Sequence, residues 1–248
     1  MNRKQVFNPY LPSYEYVPDG EPHIFYSEKD REERVYVYGS HDAFGAPIFC
    51  VNDYVCWSAP VTDLKDWRYE GVIFRKRQDP QNPLGIRSLY APDCVQGPDG
   101  RFYLYYAFDF MGRMGVAVCD SPAGEYTFYG HIHFPDGRVW GTKTGEPFPF
   151  DPGVLVDDDG RVWLYSGFAT KVPAPASRWH SLTNEGGVVL ELEQDMVTIK
   201  AGPKLLFPTA AKLKALEKTG LADEKQKSFR EHAFFEASSI RKVDGKYC

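Results

Sequence analysis

Residues 150–169 read FDPGVLVDDDGRVWLYSGFA, and the order of residue types in this stretch decides the fold. An acid and a proline open it. The short apolar run GVLV follows from Gly153, a polar tip ends in Asp159-Gly160, and an aromatic-rich run begins at Val162. A polar tip closed by Asp-Gly between two apolar runs is a hairpin signal, because glycine accepts the positive φ that a tight turn demands. The same plan recurs in PDGEPHIFYSEKDREERVYVYGSHD from Pro18, APDCVQGPDGRFYLYYAFD from Ala91 and FEASSIRKVDGKYC from Phe235. The chain is therefore read as a set of repeats before any other element is assigned.

Working outward, the first hairpin is followed by IFCVNDYVCWSA and RYEGVIF, and the second by GVAVCD and YTFYGHI, giving four strands to a unit. Four-stranded antiparallel units in series predict an all-β fold of the β-propeller type, whose blades surround a central channel. Loops at 75–90 and 170–186 lengthen the units. One segment, TAAKLKALEKTGLADEKQKSF from Thr209, departs from the β pattern and predicts a short helix inserted in a loop. The fourth unit stops at Lys246-Tyr247-Cys248, early in its second strand. A propeller buries the faces of its end blades by closing a ring, so the expectation is a propeller cut short, with the natural protein continuing.

Composition agrees with this reading. The 248 residues are 43% hydrophobic and 25% charged, with a net charge of -5, which excludes a disordered or fibrous chain. Aromatics at 15%, with 22 Gly and 19 Pro, favour strands and tight turns over a helical bundle. No basic run is long enough to neutralise a phosphate backbone, so neither nucleic acid nor an anionic membrane is the expected partner; a neutral ligand is. Residues 1–16 lack the apolar run of a secretory signal, and a cytoplasmic protein is expected. The five cysteines are odd in number and lack the paired spacing of a zinc site, so free, mostly buried thiols are expected and no metal is assigned.

In a propeller the first strand of each blade lines the axis, so equivalent positions in successive blades converge. The acid that opens each hairpin is Asp19, Asp93, Asp151 and Glu236, spaced 74, 58 and 85 residues apart. The repeat thus predicts four carboxylates at one channel mouth, where mutual repulsion makes at least one take up a proton or find a cation. The run Asp157-Asp158-Asp159 falls in a hairpin tip and is read as solvated turn chemistry.

On these motifs the chain resembles glycoside hydrolase family 43, inverting five-bladed propeller enzymes that act on arabinosyl and xylosyl linkages. The resemblance rests on Asn8-Pro9 followed by Pro18-Asp19, on Ala91-Pro92-Asp93, on Asp151-Pro152 and on Glu236-Ala237, in the family's order. It implies one glycosidase propeller domain over residues 1–248, incomplete at its C-terminal end, with about three and a half of five blades present. It implies Asp19 as general base, Glu236 as general acid and Asp93 as the residue that orients the acid and raises its pKa. Oligosaccharides carrying terminal arabinofuranosyl or xylosyl groups are the implied substrates. Tyr90 stands where the family commonly has Trp and can stack on a sugar face. Gly20 replaces a usual Pro, and Ala237-Ser238 replaces a usual Gly-Pro.

His41, Phe44, Asp151 and Phe168 are further candidates for contact with substrate, together with Asp42. Trp140 and Trp179 are read as loop aromatics that pack or stack, and His232 as a residue near the axis. A calcium ion in the central channel is compatible with the fold but has no ligand spacing to support it. Two other functions are weighed. A retaining fructosidase-like propeller would need an Asn-Asp-Pro-Asn-Gly type motif around its nucleophile and Arg-Asp-Pro in the third blade, where this chain has Phe150-Asp151-Pro152. A non-catalytic carbohydrate- or protein-binding propeller would have no need of acids converging on one channel.

Overall fold

The computed structural model describes residues 10–222, 224, 229 and 232–248. Asn8-Pro9 lies outside the described residues, as does part of the segment that follows the helix. Strands β1 (Glu21–Ser27), β2 (Glu32–Tyr38), β3 (Tyr54–Pro60) and β4 (Arg68–Phe74) form one antiparallel sheet in chain order. A second is built from β5 (Asp93–Gln96), β6 (Phe102–Ala107), β7 (Met114–Cys119) and β8 (Thr127–His131). The third comprises β9 (Gly153–Val156), β10 (Val162–Ser166), β11 (Gly186–Leu192) and β12 (Ile199–Pro208). A two-stranded hairpin, β13 (Lys242–Val243) and β14 (Lys246–Tyr247), opens a fourth unit.

Strand β6 shows why the sheets stack as they do. All six of its residues are buried. Side chains alternate faces along a strand, so Phe102, Leu104 and Tyr106 join Phe25, Tyr36 and Tyr38 in a core against the first sheet. Tyr103 and Tyr105 face the other way, into a core with Val154, Leu164 and Leu190 of the third sheet. The innermost strands β1, β5 and β9 lie side by side. Sheets packed face to face around their first strands are propeller blades, and the fold is an all-β propeller of the five-bladed type with three full blades and the start of a fourth. The outer face of the first blade carries Ile24 and Tyr26 at 59% and 50% exposure.

The expected helix is α1 (Ala210–Lys218), started by Thr209, whose side chain accepts the Lys212 N–H, and anchored by Leu213, its buried side chain. No helix among the described residues is long and apolar enough to cross a membrane. All five cysteines are free thiols, with Cys50, Cys56 and Cys94 buried. In the last hairpin Asp244 and Gly245 both have positive φ, 49° and 73°, the geometry of a type I′ turn. One expectation fails here. Asp157 is not solvated: its Oδ1 meets Lys242 Nζ at 2.5 Å and it accepts the Tyr247 hydroxyl, while Lys242 also lies 2.8 Å from Asp158 Oδ2. Asp157, with Asp158 beside it, therefore fastens the fourth hairpin onto the third blade, which hairpin-tip composition alone could not reveal, while Asp158 and Asp159 are exposed at the tip as expected.

Candidate active site

A cavity of about 480 Å³ opens where the inner strands begin, bordered by Asp19 ahead of β1, Tyr90 ahead of β5, Asp151 ahead of β9, and Glu236. Its volume lies in the range typical of small-molecule sites. Asp19 and Asp151 each stand two residues before an inner strand, with φ of 54° and 46°. Aspartate tolerates this left-handed region better than most residues, and the kink turns each carboxylate away from the strand. Cys50 and Ala237, also in the cavity wall, have φ of 57° and 62°. Sparsely populated backbone conformations that gather in one wall mark a functional site.

The carboxylates differ in their surroundings. Ser40 Oγ lies 3.0 Å from Asp19 Oδ2 and 3.1 Å from the Pro18 carbonyl, holding Asp19 at the rim, where it is exposed. Asp151 is only 6% exposed. Burial, then the charges of Glu236 and Asp19, push its carboxyl up to about 7, against a hydrogen bond from the Ala237 N–H. Glu236 is itself raised, first by desolvation and then by Asp19. Asp151 and Glu236 repel each other, so their protons belong to the pair rather than to either residue. Asp42 completes the acidic side, with Oδ1 accepting the Cys50 N–H at 2.6 Å. Burial pushes the Cys50 thiol up to about 12, leaving a neutral wall.

The cavity is also lined by a closed ring of aromatics. Tyr90 meets Phe150 at 5.3 Å between centroids, Phe150 meets Phe168 at 4.8 Å, Phe168 meets Phe110 at 6.3 Å, and Phe110 returns to Tyr90 at 6.3 Å. Phe110 keeps 39% of its surface open. Such a wall offers apolar faces to a flat or ring-shaped ligand while carboxylates reach its polar edge.

Of the four acids that the repeat predicted to converge, Asp19, Asp151 and Glu236 are brought together, with the candidate aromatics Tyr90 and Phe168, but Asp93 is not among them. Asp93 is wholly buried. Its Oδ1 meets His23 Nε2 at 2.6 Å and the Cys94 N–H at 2.8 Å, and its Oδ2 accepts the Val154 N–H at 2.7 Å. It is the first residue of β5 rather than a residue ahead of it, so its side chain enters the packing between inner strands. Both ring nitrogens of His41 are engaged, by the Asp53 carbonyl and Glu15 Oε1, and His41 is absent from the cavity wall. Phe44 is 87% exposed beside Tyr16, also outside the wall. Trp140 is a fully buried core residue, Trp179 is exposed, and His232 borders a neighbouring hollow shared with Glu236. Phe150, Phe110 and Cys50 were not among the expected site residues, although Phe150 adjoins Asp151 and Phe110 directly follows the second hairpin.

Glu21, His23 and Asp93 bring three possible ligand atoms within 4.8 Å of one another. They do not fit a divalent ion as they stand. Glu21 is paired with the guanidinium of Arg241, which also reaches His23, and both oxygens of Asp93 already accept hydrogen bonds.

Comparison with known proteins gives a consistent result. The model of the family described as glycosyl hydrolases family 43 matches residues 20–248. A xylosidase/arabinosidase of Thermoclostridium stercorarium is 46% identical over 245 residues, covering 99% of this chain and 46% of the relative. The chain thus spans less than half the length of that relative. Among solved structures, an α-L-arabinofuranosidase from Clostridium thermocellum aligns with a TM-score of 0.58 at 26% identity, covering 92% of this chain and 61% of its own. A β-xylosidase/α-arabinofuranosidase from a compost microbial metagenome, in complex with xylotriose, shares the fold with a TM-score of 0.65 at 22% identity, covering 99% and 72%.

Proposed function

Because this chain belongs to glycosyl hydrolases family 43, we propose that it carries the acid–base centre of a glycosidase that removes terminal arabinofuranosyl or xylosyl groups with inversion of configuration. The observation that carries this reading is the meeting of Asp19, Asp151 and Glu236 in one cavity that is also lined by aromatics. The names of the relatives support the substrate class.

Asp19, exposed at the rim, takes a proton from water as that water attacks the anomeric carbon. Glu236, whose carboxyl is pushed up by desolvation and by Asp19, gives its proton to the departing oxygen as the glycosidic bond breaks. Asp151 takes over the role that the resemblance assigned to Asp93. Asp151 is buried and feels the charge of Glu236, so the two adjacent carboxyls share their protons and the pair resists a second negative charge. Tyr90 and Phe110 supply faces on which a pentose ring can stack.

The test is the anomer released first from aryl and natural arabinosides and xylosides, followed by NMR. Inversion supports the two-carboxylate reading. Retention would replace Asp19 as base with a nucleophile, and no release from any of these glycosides would leave a binding module.

A further inference from the structure

Among the inner strands a polar clasp draws on all four units. Arg241, five residues after Glu236, donates to Glu21 Oε2 and, at 3.1 Å, to the Pro22 carbonyl, and its Nη2 lies 3.4 Å from His23 Nε2. His23 meets Asp93 at 2.6 Å, and Asp93 takes the N–H of Val154 at 2.7 Å. The fourth, first, second and third units are joined in that order. Two carboxylates at the axis, one of them without any solvent exposure, are expensive unless a positive charge faces them.

We propose that Arg241 is a built-in cation of the propeller axis, occupying with its guanidinium the place that a divalent ion would take among Glu21, His23 and Asp93. The donor set is one imidazole and two carboxylates, within 4.8 Å of one another. It is a set to which manganese(II) or zinc binds readily. The guanidinium answers the same charge through directed N–H donors, and it is covalently part of the segment that carries Glu236. The axis therefore needs no loaded ion to hold the fourth unit against the first.

The proposal predicts an exchange of one cation for another. The experiment measures thermal melting of the full chain with EDTA and with millimolar Mn²⁺, for the wild type, Arg241→Ala, and Arg241→Ala combined with His23→Ala. The wild type melts at the same temperature in both conditions. Arg241→Ala melts lower in EDTA, by about 4–8 °C, and recovers most of the loss with Mn²⁺. The double variant does not recover. Arg241→Lys, which keeps a positive charge, stays insensitive to Mn²⁺. A wild type stabilised by Mn²⁺ through His23, or an Arg241→Ala protein indifferent to the ion, would overturn the proposal. So would an Arg241→Ala chain that refolds neither with nor without Mn²⁺, since the vacated donors should accept the ion. None of these readouts depends on glycosidase activity, so the proposal stands or fails separately from the assigned reaction.

Discussion

The carboxylate of Asp151 faces the backbone N–H of Ala237, bringing the residue after Glu236 to an acid 86 positions earlier in the chain. The contact places the acid-bearing loop of the fourth unit over the third blade. It leaves Asp151 buried beside Glu236, and this pairing governs the electrostatics of the cavity.

Stability should fall as pH rises through the range in which Asp151 resists ionisation. Its carboxyl stands at about 7 in the folded chain against an ordinary value of 3.8. Between these values the folded state keeps a proton that the unfolded state has lost, so folding becomes less favourable with rising pH. Asp151→Asn removes that cost. Denaturant melts should show the variant gaining on the wild type by up to about 4 kcal/mol near pH 8, with the advantage gone near pH 4. A constant difference across the range would contradict the assignment.

Asp151→Asn should also lower the alkaline limb of the pH–kcat profile, because Glu236 loses the neighbour that opposes its ionisation. Asp93→Asn should leave that limb in place. It gives up a buried carboxylate that accepts from His23, Cys94 and Val154, and should cost about 2–4 kcal/mol of stability. Paired melts and pH profiles of the two variants separate the site residue from the structural one.

Asp19→Asn should reduce turnover on every glycoside by about 10²–10⁴-fold, since no base remains for the attacking water. Glu236→Gln should discriminate. Aryl glycosides with acidic phenol leaving groups need little protonation and should retain much more activity than natural oligosaccharides. Equal losses on both substrate types would remove Glu236 from the acid's role.

Ala237 holds φ of 62°, a conformation costly for any residue with a Cβ and free for glycine. Ala237→Gly should therefore stabilise the chain by about 0.5–1 kcal/mol, with the Asp151 contact and the pH profile unchanged. A loss of stability would mean that the unfolded-state entropy of glycine outweighs the strain relieved.

The strands were legible because a hairpin is a local object. Period-two alternation and an Asp-Gly tip act over fewer than twenty residues, and the units read from Pro18, Ala91 and Phe150 are the blades observed. The tie between Asp157 and Lys242 was hidden, since it joins a tip to a strand 85 residues away in sequence.

The carboxylates divide along the same line. Sequence by itself determined that acids recur at the head of each unit, because strand order and turn chemistry are written in neighbouring residues. Tertiary structure alone decided which of them share a cavity. Asp19 and Asp151 stand two residues before their inner strands, whereas Asp93 is the first residue within its own. A shift of two residues moves a side chain from the mouth of the channel into its wall, where backbone N–H groups and His23 replace solvent. Repeats aligned by composition cannot resolve such a shift, because burial and charge coupling arise only when distant strands are packed together.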